Sequence, residues 1–422
     1  MAGLARWKTK FDPFPSGEMS DQTGGADCPG DRLGFRPRIP LKKERRSLWN
    51  AFIQPISSRV TTEPLQPETT LTDDERRPIR FGILGTGRIT RRLVADLQST
   101  PGASVTAIAS RTSERARWYA DSYGIAHAVS GYADLIARDD VDAVYVALPP
   151  SLHAEWMIAS AAAGKHVLCE KPLATTSQAT QVMSDACAKA RVHWLDATAW
   201  LHHDRTDMFR QWLSGATVPQ GEADFRLGSL RHVSSAVSFF NPFQSGDHRQ
   251  DAALGGGCLL DLGWYAAGIL RLANDGLPTT VNAQSVMRDG VPYRVTAIMN
   301  FPNDVSATMS CAFDTATRKW FEIAGEEASI VCDDFTRPWP DKPARGWVHE
   351  ASGKVHPFSC ECHQEHNMIS RLVGWINATE QDEQLWDSPS PPWQAYHRQA
   401  LETQRMLEAM ETSMTTGQTV TL

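Results

Sequence analysis

No stretch of this 422-residue sequence stays apolar for the roughly 20 residues that a membrane-spanning helix requires. The start, Met-Ala-Gly-Leu-Ala-Arg-Trp-Lys, lacks the apolar core of a secretory leader. The expectation is a soluble, cytoplasmic protein with no membrane partner. An excess of positive charge is missing too. A net charge of -7 gives no electrostatic reason to bind DNA or RNA, so no nucleic-acid partner is expected. Cysteine is sparse at eight residues, and Cys169, Cys258 and Cys311 lie inside apolar runs, as reduced core thiols do. Cys360, Cys362, His363 and His366 fall close together and are of zinc-ligand type. The second half of a structural zinc site is absent, however, and Asn367 to Ile376 reads as an amphipathic helix, so no metal is expected. Internal repeats and low-complexity tracts are also lacking.

At this length, with 41% hydrophobic residues, the chain exceeds one core and suits two domains and a tail. Residues 1–77 are rich in Pro, Gly and charge without a sustained period, which predicts a disordered extension. Arg45-Arg46 before a short apolar piece faintly resembles a twin-arginine signal. The piece is too short, too polar and too far from the start, so a charged arm against a neighbouring subunit is the simpler reading.

From Ile79 short apolar runs alternate with helix-period segments, the pattern of a parallel sheet with crossover helices. Strands are predicted over Ile79–Leu84, Ser104–Ala109, Val141–Leu148, His166–Cys169 and His193–Ala197. Helices are predicted over Ile89–Gln98, Glu114–Tyr123, Ala154–Ala163 and Ser177–Ala190. Residues 78–198 thus form a doubly wound dinucleotide-binding Rossmann domain in an α/β protein. Residues 199–422 suit an α+β substrate domain with a largely antiparallel open sheet: a strand region over Glu222–Phe240, a helix over Cys258–Ala273, β-rich segments from Thr279 to Val331, and a closing helix near Trp393–Glu411.

Gly85-Thr86-Gly87-Arg88-Ile89 follows the first strand and opens the first helix, the context a dinucleotide fingerprint needs. Gly85 allows the turn, and Gly87 lets backbone approach a pyrophosphate at the helix N-terminus. Thr90 holds the third position in place of Gly or Ala, implying a wider helix-to-strand spacing. Where an NAD site offers a carboxylate after the second strand, this chain has Ser110-Arg111-Thr112, with Arg115 one turn on. Hydroxyls and guanidinium groups suit a 2′-phosphate, so NADP is expected over NAD.

The fourth predicted strand ends in Glu170-Lys171-Pro172, which carries two charges to the sheet's carboxyl edge. This element, with Leu148-Pro149-Pro150 and His153 before it and Gly255-Gly256-Gly257-Cys258-Leu259-Leu260-Asp261-Leu262-Gly263-Trp264-Tyr265 after it, resembles the Gfo/Idh/MocA oxidoreductases over roughly Pro78 to the C-terminus. Tyr265, where many members have His, and Arg249 before the glycines are similar to the branch holding glucose–fructose oxidoreductase, NADP-dependent xylose dehydrogenase and dimeric dihydrodiol dehydrogenase.

The resemblance implies hydride transfer between nicotinamide and a carbinol or carbonyl carbon of a sugar, polyol or cyclic diol. Lys171 and Tyr265 are the catalytic candidates, with either one moving the proton. Asp261, Arg249 and His202 are placed on the substrate side. The cofactor side holds Gly85 to Ile89, Ser110, Arg111, Arg115, Leu148, Pro149, His153, Glu170, Lys171 and Pro172, with the Pro bond often cis. His153 has an equal alternative as a helix-start residue bonded to backbone, and Pro150 replaces an Asn common in the family. Trp320, Trp339, Trp347 and Trp386 are candidates for a sugar wall, though such aromatics more often serve cores or interfaces. A homodimer or higher homo-oligomer is expected. The competing readings are an NAD-dependent glycoside hydrolase of the same fold and a non-catalytic cofactor-sensing regulator.

Overall fold

The computed structural model describes residues 77–215, 218–220, 223–240, 243–338 and 344–422. The predicted extension up to residue 76, and Trp339, lie outside the described residues. Arg77, assigned to that extension from the sequence, pairs with Asp142 at 2.6 Å.

The first sheet is built from β1 (Ile79–Leu84), β2 (Ala103–Ser110), β3 (His127–Ser130), β4 (Ala143–Val146), β5 (His166–Cys169) and β6 (Trp194–Asp196). Its order is β3-β2-β1-β4-β5-β6, all parallel. β1 and β4 are buried along nearly their whole length, which is why they read as continuous apolar runs. Five helices connect these strands: α1 (Thr90–Ser99), α2 (Ser113–Tyr123), α3 (Tyr132–Ile136), α4 (His153–Ala162) and α5 (Ser177–Ala190). Thr176 caps α5 by accepting from the Ala179 amide at 3.1 Å, and Gly124 closes α2 in the left-handed region. The strand order reverses between β1 and β4, so the crevice beyond their carboxyl ends is the ligand-binding position of such sheets. β3 and α3 escaped the sequence reading because both are short and β3 lies mostly exposed at an edge.

After α6 (Asp204–Leu213) come two short strands, β7 (Val218–Gln220) and β8 (Ala223–Phe225), and then the long β9 (Leu230–Phe240). A π-helical turn, Leu259–Gly263, leads into α7 (Trp264–Asn274). The remaining strands are β10 (Thr280–Arg288), β11 (Val291–Phe301), β12 (Val305–Ala312), β13 (Asp314–Gly325), β14 (Ala328–Cys332), β15 (Ala344–Glu350) and β16 (Val355–Cys360). α8 (Gln364–Gln381), α9 (Gln394–Thr416) and β17 (Val420–Thr421) end the chain. The second sheet runs β16-β15-β14-β13-β9-β12-β11-β10-β17 and is antiparallel except for the β9–β12 pair. Val295, Ala297 and Met299 of β11 face the core, while Thr296, Ile298 and Asn300 alternate outward, leaving an open face.

The helical run Ala252–Asn274 is long and apolar enough to cross a membrane by composition, contrary to the sequence expectation. Trp264, Ala266, Ile269 and Leu270 in it are buried, and α7 packs against β9 and α9, so the apolar length belongs to the core. α8 and α9 also return to the first sheet, α8 against α1 and α9 against α5 and β6. Trp386 stacks on His193 at 4.3 Å in this layer, which accounts for it without a sugar.

Candidate functional site

Gly85 follows β1 with φ of +105°, a region that disfavours side chains. A Cβ there would stand 2.4 Å from the carbonyl oxygen of Ala147, so the loop after β1 lies directly on the loop after β4. Gly87 meets nothing closer than 3.9 Å, which leaves its surface open for a ligand to approach. The first turn of α1 carries no acid and Ile89 supplies no side-chain cap, so the positive end of the helix faces this crevice unneutralised. Thr90 is buried and its hydroxyl donates to the Gly85 carbonyl at 3.2 Å, a bond that fastens helix to turn. This cradle fits a pyrophosphate.

Thr86 and Ser110 bring their hydroxyls within 3.3 Å at the end of β2. Arg115 donates to the Thr86 carbonyl at 3.0 Å, and Tyr119 reaches the carbonyls of Thr86 and Gly87 at 2.9 and 3.0 Å. Arg115 therefore braces the Gly-rich loop, while Arg111 is exposed at the turn into α2. Burial raises the pKa of the nearby Tyr132 phenol, against the pull of Arg111 and Arg115.

At the end of β5, Glu170 accepts the Tyr145 hydroxyl at 2.6 Å and the Lys171 amide at 3.2 Å. Burial raises the pKa of its carboxyl. The Lys171–Pro172 bond is cis. Lys171 donates from Nζ to Asp261 Oδ1 at 2.8 Å and to the Asp261 carbonyl at 3.0 Å, and the same ammonium lies 4.6 Å from the centroid of the Tyr265 ring. Arg249 holds the other Asp261 oxygen at 2.7 Å. Burial works against the charge on Lys171, yet Asp261 and then Tyr265 raise its pKa overall. Burial likewise works against the Asp261 carboxylate, and Lys171 and Arg249 hold its pKa well below the usual range. The result is a partly buried cation–carboxylate–cation chain beside a phenol.

The three glycines are a packed turn rather than a flexible one. Added Cβ atoms would meet Thr175 and Pro150 from Gly255, the carbonyls of Arg249 and Asp251 from Gly256, and Pro292 from Gly257, all within 3 Å. Gly257, with φ of +102°, also donates its amide to the Arg249 carbonyl at 2.8 Å. Gly257→Ala is expected to destabilise the fold by about 2–5 kcal/mol through backbone strain and overpacking. A denaturant titration checks this, and a change under about 0.5 kcal/mol, the size of an ordinary surface substitution, would contradict it.

Two expectations need correction. His153 is fully buried, with Nε2 beside the Leu148 carbonyl (2.8 Å) and Nδ1 beside those of Pro172 and Leu173 (3.0 and 3.2 Å). Its ring joins the loops after β4 and β5 and presents no free nitrogen to a cofactor. His202 is buried as well, stacked on Tyr396 at 4.9 Å and accepting from Arg371 Nε at 3.1 Å, so it belongs to the packing between α8 and α9 and not to a substrate wall. Pro150 is buried against Gly255. Cys362 Sγ accepts from Asn367 at 3.3 Å, and His366 Nε2 lies 2.8 Å from the Ser99 hydroxyl. Among the described residues no group of three or more His, Cys, Asp or Glu could hold a metal.

A narrow cleft of about 50 Å³ is lined by Ile89, Glu170, Lys171 and Tyr265, with Arg337 and Gln364 completing its wall. The second wall was invisible in the sequence, since Arg337, Gln364 and Glu365 belong to no motif. Glu365 is ion-paired with Arg337 at 3.0 Å and with Arg92 of α1 at 3.5 Å. Asp196 and Thr198 also went unnoticed: Thr198 donates to Asp196 and accepts from Trp264 at 2.7 Å, and burial pushes the Asp196 carboxyl up to about 6.

Residues 79–195 match the Gfo/Idh/MocA oxidoreductase family with its NAD-binding Rossmann fold, and residues 223–331 match a Gfo/Idh/MocA C-terminal domain. The chain is 35% identical to D-xylose 1-dehydrogenase (NADP+) 2 of Haloferax volcanii, over 58% of its own length and 72% of that protein. It is 39% identical to dTDP-3,4-didehydro-2,6-dideoxy-alpha-D-glucose 3-reductase of Actinomadura kijaniata, over 68% and 84% of the two lengths. Among solved structures, a 3-ketoreductase from Actinomadura kijaniata in complex with NADP and TDP-benzene aligns with a TM-score of 0.69 at 26% identity, covering 80% of this chain and 98% of that one. An aldose-aldose oxidoreductase from Caulobacter crescentus, complexed with glycerol, shares the fold at a TM-score of 0.70 and 24% identity, over 82% and 100% of the chains. The Gly85 cradle and Glu170-Lys171 fall in the first matched segment, and Asp261 and Tyr265 in the second. The cleft takes Glu170 and Lys171 from the first segment, Tyr265 from the second, and Arg337 and Gln364 from beyond both, and the chain belongs to the Gfo/Idh/MocA family of NAD(P)-dependent oxidoreductases.

Proposed function

We propose that this protein is an NADP-dependent dehydrogenase or reductase whose substrate is a sugar, polyol or cyclic diol, converted between carbinol and carbonyl. The observation that carries this reading is the Lys171 ammonium, bonded to Asp261 and set 4.6 Å from the Tyr265 ring, on a cleft that Glu170 and Ile89 also border. A bound nicotinamide would supply the hydride acceptor or donor. The protein supplies the rest. Gly85 and Gly87 admit the pyrophosphate to the start of α1, Glu170 is oriented by Tyr145 toward a ribose hydroxyl, and Ser110 and Arg111 meet a 2′-phosphate. Lys171, kept protonated by Asp261, stabilises negative charge on the reacting oxygen. Tyr265 moves the proton, and Asp261 with Arg249 holds neighbouring substrate hydroxyls.

The named relatives support this reading: one is a D-xylose dehydrogenase using NADP+, and the solved ketoreductase is bound to NADP. The open face of the second sheet is the surface by which we place a homodimer. Arg111→Ala tests the cofactor assignment. It is expected to weaken NADP binding about 10- to 100-fold, the worth of a charged hydrogen bond at roughly 1.5–3 kcal/mol, and to leave NAD nearly unchanged. Fluorescence titration with both dinucleotides decides the matter, and equal losses would refute the 2′-phosphate reading. The substrate class is tested by following the absorbance of reduced nicotinamide across aldoses, inositols and cyclic diols.

A further inference from the structure

Gln364 opens α8, lines the same cleft as Tyr265 and is 3% exposed. Its amide nitrogen makes two contacts at the long limit of hydrogen bonding, 3.4 Å to the Thr336 carbonyl and 3.5 Å to Glu365. Its amide oxygen is buried and has no donor. Buried side-chain acceptors are rarely left in this state, and one beside a cleft points to a water or a ligand that brings the missing N–H or O–H. Glu365 cannot serve, because it is an acceptor already engaged by Arg337 and Arg92.

The shape and lining of the cleft narrow the donor. Ile89 and Leu93 of α1 and Met368 of α8 give it apolar walls suited to a flat ring. Asp261 and Arg249, the groups fitted to substrate hydroxyls, do not border it, and Asp261 is joined to it only through Lys171. A flat ring bearing a primary amide matches both features. α8 is also fixed to α1 through Glu365–Arg92 and through His366 on Ser99, so the position of Gln364 is set relative to the cofactor cradle.

We infer that Gln364 anchors the carboxamide of the nicotinamide, its amide oxygen accepting an N–H from that group. This rests on the dinucleotide reading above and adds to it a residue that turns the ring so that one face meets Lys171 and Tyr265.

The test is a binding measurement with the full chain. NADP is compared with its 3-acetylpyridine analogue, in which a methyl group replaces the amide NH2, and with adenosine 2′,5′-bisphosphate, which has no nicotinamide. The unaltered protein is expected to prefer NADP over the analogue by about tenfold, the worth of one hydrogen bond. In Gln364→Leu that preference should fall to about two or less, with NADP weakened about tenfold and the bisphosphate unchanged, which also reports an intact fold. Gln364→Met, closer in length, is read by the same ratio should Leu misfold. A preference kept in the variant, or absent from the unaltered protein, overturns the anchor alone. Failure of the unaltered protein to bind any dinucleotide overturns the functional reading and the anchor with it.

Discussion

Lys171→Met is expected to lower kcat about 10²- to 10⁴-fold, the range for losing a proton-transfer partner or a preorganised charge at the reacting oxygen. Methionine keeps the length of the stem and removes only the ammonium. NADP affinity should stay within about threefold, because the cradle that holds the phosphates is built from Gly85, Gly87 and α1. Tyr265→Phe keeps the ring beneath the ammonium and removes only the hydroxyl, and a rate loss of the same order is expected. Steady-state rates on the best substrate, together with cofactor titrations, check both. Near-normal turnover in the two variants would remove Lys171 and Tyr265 from the chemistry.

Asp261→Ala should be the most damaging change to stability within the site. It leaves Lys171 and Arg249 facing each other without the carboxylate that bonds both. Breaking a buried ion pair from one side costs about 3–5 kcal/mol, and the lower end applies here because the Arg249 side chain is 31% exposed. A fall of several degrees in Tm is expected, and an unchanged Tm would show that the three charges are effectively solvated. The pH dependence follows from the lowered pKa of Asp261. A carboxyl whose pKa is depressed by folding contributes stability that is complete above the unfolded value near 4 and is lost only as pH falls toward the folded value. The gap between the unaltered protein and Asp261→Ala should therefore hold from about pH 5 to pH 8.

What could be read in advance depended on whether a residue's environment is local in the chain. β1, β5 and α5 were bounded correctly because their apolar period and caps lie within the segment. Lys171, Asp261 and Tyr265 were named through the family resemblance of their motifs, and the structure brings these three side chains together. His153 and His202 were misplaced because the carbonyls and rings that engage them come from elsewhere, Pro172 and Leu173 for one and Tyr396 for the other. Gln364 and Glu365 were missed for the same reason, since the return of α8 to α1 brings them to the cleft, where Arg337 joins them from the segment after β14. β15 and β16 were overlooked because their run carries Gly, Pro and charge, and pairing with β14 decides their state.

The π-helical turn at Leu259–Gly263 determines how Asp261 and Tyr265 are aligned about the helix axis. In an α-helix residues four apart share a face, offset by about 40° beyond a full turn. The wider winding of the π turn changes that offset, and in the arrangement it gives a single ammonium bonds the carboxylate of one and lies against the ring of the other. A one-residue deletion between Asp261 and Tyr265 would restore the narrower winding and change their angular phase, while leaving every catalytic side chain present in the sequence.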